Sequence, residues 1–323
     1  MAFEALCASS HPWYLWVGFV ALVLAFLAID LGVFHRKTHA VSIKEALTWA
    51  IVWFAAAMVF NALVWWQCGA QMGLEFFTGY IIEKSLSVDN LFVILLVFTA
   101  FGIPARLQHR VLFWGIMGAL VMRGVLIGIG AALVARFDWV FYIFGAFLLW
   151  TGAKMLFQKE EKFNPDESWI VRSIRKVVPV TGLKGERFFT RERGAFAVTV
   201  LFVALVVVEF TDLVFAFDSI PAIFAITGDP FIVFTSNVFA ILGLRSLYFV
   251  IAKAHDMFSH LKTGLAFILL FIGAKLMVKD IYHVDIFVSL GIVLGVLALS
   301  IIASVFHFPR MSKEKQVKTR KRR

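Results

Sequence analysis

The sequence predicts an all-α polytopic membrane protein with about nine transmembrane helices. Of its 323 residues, 61% are hydrophobic, and the mean hydropathy is +0.87, a balance that soluble domains do not reach. The apolar runs are continuous over about 20 residues instead of alternating over about ten, which favours helices over a β-barrel. Lys and Arg are concentrated in every second connection between the predicted spans, and this pattern supports the number of spans.

The predicted spans follow one another with short connections, apart from one long loop. They cover about 14–34, 45–66, 74–100, 108–132, 138–157, 195–220, 231–252, 260–279 and 285–307. The first span lacks a basic region before it and a small-residue cleavage site after it, so we expect it to be retained. We expect a single membrane domain with a polar loop at 158–194 and a basic tail at 308–323. A short amphipathic helix is expected around Trp169–Val178 in the loop.

The distribution of Lys and Arg predicts the orientation of the spans. Twenty-four of these residues fall in connections on one side, and only Arg136 and Lys279 fall on the other. The positive-inside rule therefore places the N-terminus outside and the C-terminus in the cytoplasm. The net charge of +10 is thus a topology signal and does not argue for nucleic acid. The tail from Lys313 to Arg323 is either a solvated charge run or a contact for anionic lipid.

An internal repeat is visible in three similarities that recur in the same order. The matched pairs are Glu83–Asn90 with Asp212–Ser219, Gly118–Arg123 with Ala240–Arg245, and Leu148–Leu156 with Leu269–Met277. Each unit, at 74–157 and at 195–279, contains three predicted spans. A unit with an odd number of spans that is duplicated in tandem inserts upside down the second time. Inverted repeats of this kind are typical of secondary transporters, whose binding site lies at the repeat interface near the midplane.

Both copies of the first motif carry an acid followed six residues later by Asp and a small polar residue. With Glu209, this places five carboxylates at membrane depth: Glu83, Asp89, Glu209, Asp212 and Asp218. Each costs about 2.5–3.5 kcal/mol at the bilayer centre, so the fold must offset them. Basic residues also lie within the spans, namely Lys84, Arg123, Lys154, Arg245 and Lys275. Ion pairing is the favoured interpretation for the two arginines, but it does not account for all of the acids.

Neutral oxygen ligands surround the acids and indicate a polar cavity for a cation. They are Ser85, Ser87, Asn90, Thr211 and Ser219. Oxygen ligands without Cys or His favour hard cations such as Mn²⁺, Mg²⁺ or Ca²⁺ and disfavour zinc and copper. Asp30, in the first span, is either a further ligand or an interfacial residue. Pro221 either breaks the sixth span and frees carbonyl groups for a cation, or marks an ordinary helix end near residue 220.

Other classes of function find little support in the sequence. It contains no nucleotide-binding loop and no nucleophile–base pair, so we expect neither an enzyme nor a transporter driven directly by ATP, and no organic cofactor. The two cysteines, Cys7 and Cys68, have no metal-binding or redox spacing. Both fall on the same predicted side of the membrane, where they are able to pair.

Long motifs in this sequence resemble those of the TerC family of integral membrane proteins, and within it the Alx-like branch. The resemblance covers about 14–305 and is most specific in Gly79–Asn90, Val208–Asp212 and Phe217–Ala225. The family is similar to LysE-type exporters. The resemblance implies a bacterial inner-membrane protein that exports manganese from the cytoplasm, and the family name implies a link to tellurite resistance. By motif, the implied metal site falls on Glu83, Asp89, Asn90, Glu209, Asp212, Asp218 and Ser219.

Three functions remain in competition at this stage. The first is a manganese exporter coupled to protons or to another gradient. The second is a membrane scaffold that supplies metal to secreted enzymes or to a translocation complex. The third, export of tellurium oxyanions, is disfavoured by the acidic character of the site. The expected partners are a divalent metal ion and the lipid bilayer, together with a second copy of the chain or another membrane protein.

Overall fold

Ten α-helices and a small β-sheet make up the described part of the chain. The computed structural model describes residues 11–34, 42–157, 163–192, 194–254 and 261–320, with the backbone alone at 30–34, 254, 305 and 307–320. The elements are α1 (Trp13–Phe34), α2 (Ile43–Ala100), α3 (Ala105–Arg136), α4 (Val140–Phe157), α5 (Trp169–Val177), β1 (Val180–Thr181), β2 (Phe189–Glu192), β3 (Ala195–Thr199), α6 (Val200–Phe224), α7 (Pro230–Leu242), α8 (Leu244–Ala254), α9 (Leu261–Met277) and α10 (Ile286–Arg320). Within these described ranges, five helices are long and apolar enough to cross a membrane, or six if α7 and α8 form one bent span. The protein is therefore a multi-pass, all-α membrane protein.

The longest helix, α2, is a hairpin of two antiparallel arms that meet at Gly69. Gly69 has φ 85°, a left-handed conformation that interrupts the helix. The Phe60 and Phe76 rings lie 5.3 Å apart, although 16 residues of straight helix would separate them by about 24 Å. Farther from the turn, the rings of Phe54 and Tyr80 are 6.1 Å apart. Each arm, at 43–68 and 70–100, is longer than the roughly 20 residues that a span requires.

Cys68 immediately precedes the turn at Gly69 and is disulfide-bonded. The only other cysteine of the chain, Cys7, lies outside the described residues.

A break at Gly243 separates α7 from α8, and the two helices are bent by 46°. The Lys84 side chain reaches this break from the second arm of α2. Its ammonium donates to the carbonyl oxygen of Ala240 at 3.1 Å. A Cβ atom at Gly243 would lie 2.5 Å from Lys84 Nζ, so the absent side chain makes room for the ammonium. A positive charge at this place interacts favourably with the carbonyl groups at the C-terminal end of α7.

Helices α4 and α9 cross closely at glycines. A Cβ at Gly152 would lie 3.0 Å from Leu270 Cγ and 3.1 Å from Leu270 N. A Cβ at Gly273 would meet Leu149 in the same way, at 3.0 Å from its Cγ and 2.9 Å from its N. Glycine is required on both sides because backbone lies directly opposite backbone.

The segment 163–199 forms a small layer at one end of the helix bundle, which we call the sheet end. Helix α5 lies within the range predicted for a short amphipathic helix. The sheet has the order β1-β3-β2, with β3 parallel to β1 and antiparallel to β2. Residues Ala195–Thr199, which were assigned to the sixth predicted span, are strand β3 instead. Hydropathy did not distinguish them because this strand is apolar and continues directly into α6.

Two helix ends also differ from the sequence-based expectation. Helix α6 continues through Pro221 and ends at Phe224, so the proline lies in the last turn and marks an ordinary helix end. Helix α10 runs on to Arg320, past the predicted end at 307. Lys, Glu and Gln in the tail are good helix formers, so the charged tail extends the apolar span without a break.

Candidate functional site

A buried guanidinium, that of Arg123 in α3, is the centre of the intramembrane polar network. Its side chain is 1% exposed. Nε and Nη2 donate to Oδ2 and Oδ1 of Asp212 at 3.1 and 2.8 Å, which is the bidentate arrangement. Nη1 donates to Oε1 of Glu83 and, at 3.4 Å, to the hydroxyl of Ser219. Glu83 and Asp212 are the leading acids of the two similar motifs, so one arginine neutralises both motifs.

Two neutral side chains complete this network around Glu83. Asn237 of α7 accepts from Arg123 Nη1 at 3.2 Å and donates through Nδ2 to Glu83 Oε2 at 3.0 Å. The hydroxyl of Ser87 donates to Glu83 Oε1 at 3.4 Å. The network thus joins α2, α3, α6 and α7 near the middle of their lengths. The sequence analysis missed Asn237, although Thr235, Ser236 and Asn237 form a polar run inside an otherwise apolar helix.

Asp89 and Asp218, the second acids of the two motifs, form a separate group beside α4. Both side chains are partly buried. The Asp218 carboxylate lies within electrostatic range of Asp89, of the Lys154 ammonium and of the Thr151 hydroxyl. The Lys154 ammonium also lies 5.0 Å from the centre of the Trp150 ring. The two aspartates are therefore close enough for their charges to interact.

Glu209 lies one turn before Asp212 on α6, close enough for their charges to interact. Its carboxylate packs directly on Gly118 of α3, where a Cβ atom would overlap both of its oxygens. Gly118 therefore forms a recess for this acid.

Three carboxylate or amide oxygens in this region lack a hydrogen-bond partner among the described residues, as does the Thr151 hydroxyl beside Asp218. They are Asn90 Oδ1, Glu209 Oε2 and Asp218 Oδ1, and all three are buried at the atomic level. Asn90 as a whole is 4% exposed. Buried acceptors without a donor are costly and uncommon in folded proteins. A cation or a donor such as water satisfies acceptor oxygens of this kind.

The predicted site residues do not form a single cluster. Arg123 binds Glu83, Asp212 and Ser219. Asp89 lies close to Asp218. Asn90 and Glu209 each keep one oxygen without a hydrogen-bond donor. The side chain of Asp30 lies outside the described residues. Within the described part of the chain, no three His, Cys, Asp or Glu side chains are arranged to hold a metal ion. The oxygens around Asp89 and Asp218 thus come from two acids and neutral groups.

These features define a class: a multi-pass helical membrane protein with a buried, charged network between its helices. The profile of the integral membrane protein TerC family matches residues 68–312. The chain therefore belongs to the TerC family, as its motifs predicted.

Similar proteins occur in several bacteria. An uncharacterized membrane protein of Myxococcus xanthus is 53% identical over 292 residues, which cover 90% of this chain and 92% of the relative. A protein of Escherichia coli K12 is 46% identical over 93% of this chain and 97% of its own length. It is named Alx, with the provisional description "membrane-bound redox modulator". A Rickettsia bellii membrane protein is 42% identical over 90% of this chain and 96% of its own. No solved structure matches the chain.

Proposed function

We propose that the protein exports divalent manganese from the cytoplasm through an acidic intramembrane site. The observation that carries this proposal is the set of buried acceptors without donors at Asn90, Glu209 and Asp218. A cation satisfies these oxygens, as water does, and carboxylate and amide oxygens suit a hard cation. The identity of the metal and the direction of transport rest on the TerC resemblance. A tellurite phenotype would then be secondary to a metal imbalance.

The two groups of acids have different roles in this proposal. Asn90, Glu209 and Asp218 supply oxygens without a donor in this conformation, and Asp89 lies close to Asp218. Glu209 precedes Asp218 by nine residues of α6, about 14 Å along its axis, so the two do not bind one ion together. Glu83 and Asp212 are held by Arg123, which offsets their charge. They join the metal site only where the arginine moves away.

An inverted repeat is the second part of the proposal. The α4–α9 crossing supports it, because Gly152 meets Leu270 as Gly273 meets Leu149, atom for atom and within 0.2 Å. Gly273 and Leu270 are the repeat counterparts of Gly152 and Leu149. A reciprocal contact between counterparts is what a two-fold relation between the units produces. Gly145 lies next to Gly273, and Gly152 lies next to Ala266. Residue numbers therefore rise along α4 where they fall along α9, so the crossing is antiparallel, as expected of inverted units.

The number of spans and their orientation form the third part. Nine spans result if the two arms of α2 count separately, α7 and α8 count as one, and α1 and α9 also cross. The sheet end carries the most basic connection, the loop 158–194, and therefore faces the cytoplasm under the positive-inside rule. The N-terminus then lies outside, in the inner membrane of a bacterium.

The alternative is a membrane scaffold that supplies metal to secreted enzymes or to a translocation complex. Purified protein in liposomes separates the two functions. An exporter moves Mn²⁺ across the membrane without a partner, at a rate that depends on an imposed pH gradient if protons are the coupling ion. Parallel assays with Ca²⁺, Mg²⁺ and Zn²⁺ give the selectivity. Metal binding without flux would favour the scaffold.

A direct redox role, which the name of the Alx relatives suggests, is a further candidate because Cys68 is disulfide-bonded. A disulfide can carry two electrons. In an exporter, however, Cys68→Ser should leave Mn²⁺ flux in liposomes unchanged, apart from any loss of protein yield. Flux that changes with the ambient redox potential in the wild type but not in this variant would favour the redox role.

A further inference from the structure

Helix α5 exposes a basic face at the sheet end of the bundle. Arg172, Arg175 and Lys176 are exposed, whereas Val171, one turn before Arg175, is 1% exposed and packs into the main apolar core. Nearby acids are few among the described residues. Asp166 pairs with Arg175 at 2.7 Å, and Glu167 accepts from Asn164 at 2.7 Å. The outward face of α5 is therefore positively charged.

The beginning of α5 lies beside a membrane-spanning helix. The ring of Trp169 packs edge-on against that of Phe210, with the centroids 5.2 Å apart. Phe210 is ten residues into α6, or about 15 Å along its axis from Val200. Trp169 is nevertheless 62% exposed. This exposed indole therefore joins α5 to the flank of a membrane-spanning helix.

A cavity of about 260 Å³ lies between α5, β1 and the adjoining ends of α2 and α6. Apolar side chains, including Phe101, Val171 and Val203, line its interior. Its charged lining residues are Arg175 and Asp166. The Arg175 guanidinium is paired with Asp166 there, so a phosphate at the mouth of this partly apolar cavity exchanges with that carboxylate and gains the neighbouring Arg172 and Lys176.

The sheet extends the same surface. Phe189 and Phe196 are stacked with ring centroids 5.8 Å apart, and both are more than half exposed. Strand β3, which contains Phe196, runs directly into α6. These rings therefore continue the apolar surface of a membrane span instead of projecting into a solvated loop.

We propose that α5 and this cavity form a binding site for the headgroup of an anionic phospholipid. The three basic side chains supply the charge complementarity, and the contact of Trp169 with α6 supplies continuity with the bilayer. Basic residues near a membrane surface attract anionic lipid. The site is independent of the proposed metal transport.

The test measures thermal stability of the full-length protein in detergent, with phosphatidylglycerol or phosphatidylcholine of the same acyl chains added. Phosphatidylglycerol should raise the apparent Tm of the wild type by several degrees more than phosphatidylcholine does, because a ligand of the folded state stabilises it. The triple variant Arg172→Gln, Arg175→Gln, Lys176→Gln should lose most of this difference. These side chains are exposed, so the variant should fold. An undiminished difference in the triple variant would overturn the proposal.

Three controls assign the effect to this site. Asp166→Asn removes the ion pair with Arg175 but keeps the three basic groups, so its response to phosphatidylglycerol should persist. A tail variant with Lys313, Lys315 and Lys318 changed to Gln should also respond. Inorganic phosphate should give no comparable shift. Loss of the response in the tail variant alone, or an equal shift with phosphate, would contradict a lipid site at α5.

Discussion

At the scale of single residues, the decisive feature is that Arg123 binds the leading acid of both motifs. The sequence analysis expected the arginines to neutralise membrane carboxylates, and Arg123 does so with Glu83 and with Asp212. It is 1% exposed, so each of these charges depends on the others for compensation. Removing one partner of a buried ion pair typically costs about 3–5 kcal/mol because it leaves an unpaired charge behind.

Arg123→Leu should therefore lower the yield of folded protein more than it changes metal preference. Asn237→Leu should cost less, about 1–3 kcal/mol, because Glu83 loses one neutral donor and keeps the arginine. Detergent-extracted yield and monodispersity, measured beside Mn²⁺ and Ca²⁺ binding, test this order. Normal yield of Arg123→Leu with altered selectivity would instead make Arg123 part of the metal site.

The acids of the candidate site could be found from the sequence, but their division into two groups could not. Charged residues at membrane depth stand out because they are costly there. Which of them Arg123 binds depends on how α2, α3 and α6 pack, and spacing along one helix does not determine that. Asn237 was missed because an amide in a membrane helix carries no charge and more often bonds to a neighbouring helix.

At the scale of elements, glycines determine where helices turn and how closely they approach. The connection predicted between 66 and 74 is a turn at one residue, Gly69, whose left-handed backbone favours glycine. The interruption at Gly243 was not predicted, because hydropathy is continuous from α7 into α8. The Lys84 ammonium reaches this break from another helix. Continuous hydropathy likewise hid strand β3.

Gly152→Ala and Gly273→Ala should destabilise the protein by similar amounts, about 1–3 kcal/mol each, because each added methyl group meets backbone of the facing helix. Gly128→Ala in α3 is the matched control, since a Cβ there meets nothing within 4 Å. Thermal unfolding in detergent measures the three variants. A large loss at one crossing glycine with none at the other would contradict the two-fold relation between α4 and α9.

At the scale of the whole molecule, the protein is a membrane bundle for which we propose an inverted repeat and an orientation set by charge. The 24-to-2 distribution of Lys and Arg between the two sides is the strongest signal for orientation. The same distribution could be read from the sequence because charge acts on the topology of each span as it inserts. The distance between the two repeat units could not be predicted from the sequence, because it depends on side chains that meet only in the folded bundle.

Reporter fusions test the orientation. A reporter after Arg323 should report the cytoplasm, and one inserted within 222–229 should report the outside. This range begins in the last turn of α6 and ends before α7, so it lies at the end of the bundle opposite the sheet. Both reporters on one side of the membrane would rule out the nine-span arrangement.

Manganese flux through Asp89→Asn and Asp218→Asn variants in proteoliposomes tests the central claim most directly. Each change is nearly isosteric and removes one negative charge, and a divalent ion needs two or more carboxylates to replace its hydration shell. Both variants should therefore reach wild-type amounts in the membrane and lose Mn²⁺ efflux, whereas the exposed control Asp138→Asn should retain it. Wild-type efflux from both aspartate variants would mean that these carboxylates only balance basic residues, and the proposed transport would have no site.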